Sequence, residues 1–337
     1  MQSNFLHHQS AHCENGVVSN LLRNKGLDIS EPMAFGIGSG LFFVYLPFIK
    51  VNHAPAISYR TLPGFIFKKL ARRLGLVVAR QSFRSVNEAQ KALEQNLKEG
   101  IPTGLQVGVY QLSYFPDEYR FHFNAHNLVV YGRTDEGYLI SDPVMEKVTT
   151  LTVDELNRVR FAKGAFAPKG KMYHLLQIPA EVNIRKAVIA GINDTCRNML
   201  APVPIVGTRG MQYLASQIRK WPSKHGVRKA NHYLAQMVRM QEEIGTGGGG
   251  FRFIYAAFLQ EASYLLDSTR IRELSNEMTA LGDLWRDFAL EASRLYKNRS
   301  TLANAYDVIA DQLLAIANRE KQFYKDLKKA IQSIQSK

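Results

Sequence analysis

The stretch Ser10-Ala11-His12-Cys13-Glu14-Asn15-Gly16-Val17-Val18-Ser19-Asn20-Leu21-Leu22 decides how the first half of the chain is read. Val17, Val18, Leu21 and Leu22 recur at the spacing of one helix face, and Gly26 supplies a stop. Cys13 therefore falls at, or one turn inside, the start of a helix of about three turns. Backbone N–H groups without intrahelical acceptors, and the positive end of the helix dipole, stabilise a thiolate at such a place. A small buried side chain fits the same pattern, so the reading turns on whether a base lies elsewhere.

Asn124-Ala125-His126-Asn127-Leu128-Val129-Val130-Tyr131 reads as a strand with a histidine near its start. A turn at 133–137 leads to the return strand Tyr138-Leu139-Ile140-Ser141, which runs into Asp142-Pro143. Folding about that turn predicts His126 opposite residue 142 or 143, where cross-strand Cβ atoms lie about 4.5–5.5 Å apart. The Asp142 carboxylate can then hold one ring nitrogen and leave the other for proton transfer. A structural strand histidine and an Asp-Pro turn fit His126 and Asp142 singly; taken jointly with Cys13 they are read as a nucleophile, a base and an orienting carboxylate. No CxxC or HxxxH pair completes a metal set with Cys13 and His126, so neither metal nor cofactor is expected.

Composition narrows the class. With 337 residues and 46% hydrophobic content, the chain has material for about two domains with real cores. Its two cysteines, Cys13 and Cys196, form no disulfide framework and fit a reducing, cytoplasmic setting; Cys196, midway along a helix, is expected to be inert. Met1 to Phe5 shows no leader pattern, and the longest apolar run, 33–49, is broken by glycines and prolines, so no membrane partner is expected. The net charge of +14 suits an acidic partner, while the absence of a duplex-binding motif argues against nucleic acid. The densest basic cluster, Lys68-Lys69-Leu70-Ala71-Arg72-Arg73, reads as the solvated face of a short helix. A homo-oligomer is left open.

Capping signals at Ser85/Glu88 and Thr152/Glu155 predict helices at 85–99 and just after 152. Strands are predicted at 104–112, 120–123, 126–131, 138–141 and 173–178, which makes this half α+β. From about residue 183 the pattern turns helical throughout, at 183–200, 209–220, 226–243, 251–266, 269–296 and 301–335. The expected domains are 1–179 and an all-α 180–337. Two glycine clusters have two readings each. Gly36-Ile37-Gly38-Ser39-Gly40 fits a tight surface turn or a loop that admits a ligand. Gly245 to Gly250, leading into a helix near Phe251, fits a flexible linker or a cup of N–H groups that, with Arg252, grips a carboxylate or phosphate.

Ala11-His12-Cys13, the loop from Gly36 through Gly38 to Gly40, and His126 through Asp142 resemble the N-terminal domain of butirosin biosynthesis protein H. That family is papain-like and related to bacteriocin-processing cysteine peptidases. The second half is similar to the helical domain often found after it, in Gly247-Gly248-Gly249-Gly250-Phe251-Arg252 with Tyr255, Phe258 and Leu259. The resemblance implies an acyltransferase that moves an acyl or aminoacyl group from an acyl carrier protein thioester to a small amine acceptor. In that role Cys13 is the nucleophile, His126 the base and Asp142 the orienting group; Gly36, Gly38, Gly40, Gly249, Gly250, Arg252 and Tyr255 are this reading's own candidates for substrate contact. A cysteine peptidase or amidohydrolase with the same three residues, or a non-catalytic papain-like binding scaffold, remains open. Papain-like enzymes usually carry an oxyanion-hole glutamine six residues before the cysteine, where this chain has His7; Gln9 and His12 are the nearby alternatives.

Overall fold

The computed structural model describes residues 5–300 and 302–336. The stretch 1–4, part of the segment read for a leader, and Thr301, the expected start of the last helix, lie outside the described residues. In chain order the first elements are α1 (Cys13–Arg23), α2 (Glu31–Ile37), β1 (Leu41–Val51), β2 (Ala54–Arg60), α3 (Phe65–Leu74) and β3 (Val77–Gln81). Next come α4 (Val86–Lys98), β4 (Thr103–Val107), β5 (His126–Arg133), β6 (Tyr138–Ser141), β7 (Thr149–Leu151), α5 (Val153–Arg160) and β8 (Met172–Gln177). The helices α6 (Ile184–Met199), α7 (Gly207–His225), α8 (Val227–Glu242), α9 (Arg252–Leu266), α10 (Thr269–Tyr296) and α11 (Ala305–Gln335) follow. No described helix is long and apolar enough to cross a membrane.

The chain divides into two compact units. One holds the chain up to Ala34 together with Leu70–Asn183; the other holds Phe35–Lys69 and everything from Ile184 onward. The contiguous division at 179/180 expected from sequence differs from this in the segment 35–69. That segment carries its own apolar contacts, and their partners come from the far end of the chain.

The first unit is α+β. Its six strands form an antiparallel sheet in the order β3-β8-β4-β5-β6-β7. Leu105, Val107, Leu128, Val130 and Ile140 pack against Leu93 and Leu97 of α4 and Leu156 and Val159 of α5. Period-two alternation turns Asn127 and Val129 to the opposite face, and α1 packs against β5 and β8. Thr152 and Glu155 close the capping box as read, whereas the expected box at Ser85 and Glu88 is a one-way cap in which the Ser85 hydroxyl accepts from the Glu88 N–H. The strand expected at 104–112 ends at Val107, because Val109 N–H donates to Phe123 O and the chain turns. The segment 120–123 forms no strand and follows a short turn of 3-10 helix at Asp117–Tyr119.

In the second unit the chain from Ile184 is helical, as the periodicity predicts, and the β1–β2 hairpin packs among those helices. Phe43 and Tyr59 meet Trp285 at ring separations of 6.3 and 5.4 Å, and Phe35 stacks on Phe251 at 5.3 Å. This packing corrects the reading of the first glycine cluster. Gly36 lies inside α2 with the Phe258 ring where a Cβ would stand, and the Phe35 ring fills the same place at Gly40. Gly38 sits in the buried turn between them, and Ser39 Oγ donates to Gly191 O at 3.1 Å. These glycines allow close packing of protein on protein, and no ligand loop is formed.

The second cluster is corrected in a more instructive way. Gly249 and Gly250 both have φ near +57°, and a Cβ on Gly250 would come 2.6 Å from Tyr59. The turn does bind an anion, but an internal one: Gly249 N–H donates to the Glu242 carboxylate at 3.1 and 3.3 Å. Arg252 is fully buried and forms a two-pronged pair with Glu320, Nε at 2.9 Å and Nη2 at 3.1 Å, and Trp285 Nε1 adds a third donor at 2.7 Å. Its guanidinium also lies over the Trp285 ring at 4.8 Å. Tyr255 is equally buried, 5.4 Å from the Phe258 ring. Gly249, Gly250, Arg252 and Tyr255 are all buried, and the anions that the turn and the arginine hold belong to the chain itself.

Removing one member of a buried ion pair strands the other's charge in a dry interior. Arg252→Ala and Glu320→Ala are each expected to lower stability by about 3–5 kcal/mol, whereas Arg270→Ala, which breaks an exposed pair with Glu273, should cost within about 1 kcal/mol. Denaturant midpoints of the three variants check this.

Candidate active site

Three segments of the first unit are tied together before any reactive atom is considered. Gly16 lies on the α1 face against Pro143, where a Cβ would come 2.5 Å from the proline Cβ, so only glycine lets α1 approach this closely. Ser10 N–H donates to Pro143 O at 2.6 Å. His7 places one ring nitrogen 2.8 Å from Ser141 Oγ and the other 3.0 Å from Met145 O. The Glu31 carboxylate accepts from the N–H groups of Ala11 and His12 at 2.9 and 2.7 Å. The approach to Cys13 is thereby held on one side by residues 141–145 and on the other by Glu31.

Cys13 is the first residue of α1, and His12 is its cap, with the ring accepting from Asn15 N–H at 3.5 Å. His126 opens β5, and its Nε2–H donates to Asp142 Oδ2 at 2.7 Å. The register is not the one predicted. Val129 pairs with Ser141, with a shift between Val130 and Gly132, so Asp142 is not directly across from His126. It reaches the ring because the chain leaves β6 there in a turn: Met145 N–H donates to Asp142 O at 3.0 Å, and Val144 N–H donates to Asp142 Oδ1 at 3.2 Å. Tyr114 OH donates to the same Oδ2 at 2.7 Å. Burial and the neighbouring carboxylate hold this phenol well above its ordinary range, so it stays a donor.

His126 and Asp142 are both buried, and the Phe115 ring meets the imidazole edge-on at 5.4 Å. Burial alone would favour neutral imidazole. Burial is the largest single influence, yet the charges of Asp142 and Cys13 and their hydrogen bonds to the ring together outweigh it and lift the His126 pKa to about 10. With Nε2 on Asp142, Nδ1 is the nitrogen left for sulfur. The arrangement favours a thiolate–imidazolium pair braced from behind by a carboxylate.

The expected oxyanion donors fare differently. His7 has both ring nitrogens engaged, His12 serves as a helix cap, and Gln9 is exposed. Tyr114 went unread because it lies in an irregular loop, 28 residues before its partner. A surface cavity of about 900 Å³ opens beside the end of β4, lined by Gly108, Tyr110, His122, Asn124, Arg158 and Lys163 among others. Among the described residues no group of three or more His, Cys, Asp or Glu is placed to hold a metal ion.

Comparison with known families agrees with the sequence resemblance. A family model described as butirosin biosynthesis protein H, N-terminal, matches residues 12–143. One described as a domain of unknown function, DUF4872, matches residues 154–327, more than half of the chain. The chain belongs to the DUF4872 family. Its DUF4872 segment follows the butirosin-type N-terminal domain, in the order expected from the glycine and histidine motifs. No curated protein matches the sequence. Among solved structures, a Bacillus anthracis protein described as a C39-like peptidase is similar over 52% of this chain and 98% of its own, at 14% identity and a TM-score of 0.34. A likeness that low assigns neither activity nor substrate to this DUF4872 protein.

Two measurements test the site. Burial pushes the Cys196 thiol up to about 12, so iodoacetamide at neutral pH should label Cys13 in the folded protein and reach Cys196 only after unfolding. His126 holds its proton more tightly folded than unfolded. Its contribution to stability is therefore complete below about pH 6.5 and lost as pH rises toward 10. In a Cys13→Ser background, where no thiolate offsets the imidazolium proton, denaturant midpoints should fall above about pH 6.5 more steeply than those of the Cys13→Ser/His126→Ala double variant, and an equal slope would remove the raised His126 pKa that Asp142 supports.

Proposed function

We propose that this protein is a cysteine-dependent acyltransferase that moves an acyl or aminoacyl group from a carrier-protein thioester to an amine through acyl-Cys13. The observation that supports this reading is the buried Cys13–His126–Asp142 group, with His126 hydrogen-bonded to the Asp142 carboxylate and its pKa raised by that carboxylate and Cys13. The Cys13 thiolate attacks the thioester carbonyl, and the oxygen takes up the electron pair. Collapse expels the carrier thiolate, which takes the proton from His126 Nδ1. The acceptor amine then attacks acyl-Cys13, His126 removes its proton, and Cys13 departs as thiolate.

Two further observations support transfer. Cys13 and His126 are 7% and 5% exposed, so an acyl-Cys13 would be shielded from bulk water while a bound amine competes. The +14 charge suits an acidic carrier protein, and the N-terminal family takes its name from a biosynthetic protein.

Incubation with a panel of acyl thioesters, followed by intact-protein mass spectrometry, tests the chemistry. The expected result is a single acyl mass gain that disappears in Cys13→Ser, and product release that is faster with amines than with water alone. Hydrolysis that amines do not accelerate would favour a peptidase or amidohydrolase. No adduct with any acyl donor would leave only a binding scaffold.

A further inference from the structure

The acyl-transfer reading needs a donor for the developing oxyanion, and none of the positions expected for one supplies it. A different side chain is aimed at the sulfur. Asn127 follows His126 on β5, is buried, and points its Nδ2 at Cys13 Sγ from 4.0 Å. The amide is not free to rotate: Tyr173 OH donates to Asn127 Oδ1 at 2.9 Å, which leaves the NH₂ as the end facing sulfur. Its second hydrogen is occupied by Ala125 O at 3.2 Å. Tyr173 is a dependable donor, because burial and the nearby Glu14 and Cys13 hold its phenol well above its ordinary range. The Tyr173 ring lies over Gly104, where any Cβ would displace it, so the sheet itself makes room for this arm.

Resting on the acyl-Cys13 reading, we propose that Asn127 is a catalytic residue that donates Nδ2–H to the carbonyl oxygen of the tetrahedral intermediate, with Tyr173 as its positioning residue. A donor 4.0 Å from the sulfur is too far to be a good partner of the resting thiolate. The carbonyl oxygen is attached to the carbon that sulfur attacks, which can bring it within the roughly 2.7–3.1 Å an oxyanion donor requires. Cys13 opens α1, and the positive end of that helix favours the developing oxyanion as well. The amide is thus placed for the intermediate more than for the ground state, which is how a hydrogen bond raises kcat.

Single-turnover acylation by an acyl thioester, with iodoacetamide alkylation in parallel, tests this on the full chain. Asn127→Ala and the near-isosteric Asn127→Asp should slow acylation by about 10²–10³-fold. Asn127→Ala should leave the alkylation rate, which involves no oxyanion, within about twofold of native. Tyr173→Phe, which frees the amide to turn, should lower kcat with little change in KM. Circular dichroism and protection of Cys196 from iodoacetamide report that each variant is folded. The inference is overturned if folded Asn127→Ala acylates at the native rate, or if alkylation falls as far as acylation, which would make Asn127 a partner of the thiolate instead. If the native protein is alkylated at Cys13 yet accepts no acyl group, the acyl-transfer reading itself fails, a result separate from the other two.

Discussion

A charged imidazole does not stay charged in a protein interior unless opposite charge and hydrogen bonds surround it. His126 meets that condition with a carboxylate on one nitrogen and sulfur toward the other. The rest of the first unit can be understood as the means of keeping three segments in register around that ring. Gly16 gives up a side chain so that α1 can touch Pro143, His7 bridges to both sides of Asp142, and Glu31 collects the two N–H groups before Cys13. Tyr114 and Val144 complete the coordination of the Asp142 carboxylate, so that its charge is held in place when the ring gains or loses a proton.

The second unit uses the same electrostatics for a different end. A glycine turn of positive φ and a buried arginine have the properties of an anion site, and both hold anions here. Those anions are Glu242 and Glu320, supplied by the chain itself. The chemistry was legible in Gly249, Gly250 and Arg252. Its direction was not, because nothing local tells an external carboxylate from one lying seven residues earlier or sixty-eight residues later.

What the sequence made legible follows the range of the forces involved. The Cys13 helix, the Ser85 and Thr152 caps and the meeting of His126 with Asp142 all arise within about sixteen residues. Even so, the last was reached through a turn off the end of β6 and not through the simple hairpin register. Asn127 stood in the strand that was read for His126. Alternation turns it to the other face, and its meeting with Cys13 depends on where α1 packs. The hairpin over Leu41–Arg60 was obscured for a related reason: its apolar residues face Trp285 and the helix beginning at Gly207, partners that only the folded chain brings near.

The membership of Phe35–Lys69 in the second unit bears on how this protein is made. During synthesis that hairpin leaves the ribosome long before Phe251, Phe258 and Trp285, and waits with Phe35, Phe43 and Tyr59 uncovered until nearly the whole chain has emerged. The nascent chain therefore carries an adhesive aromatic surface for most of its translation, a natural point of attention for chaperones. It also discourages gene fusions that would borrow the N-terminal half alone, since the severed piece would keep the hairpin and lose what covers it.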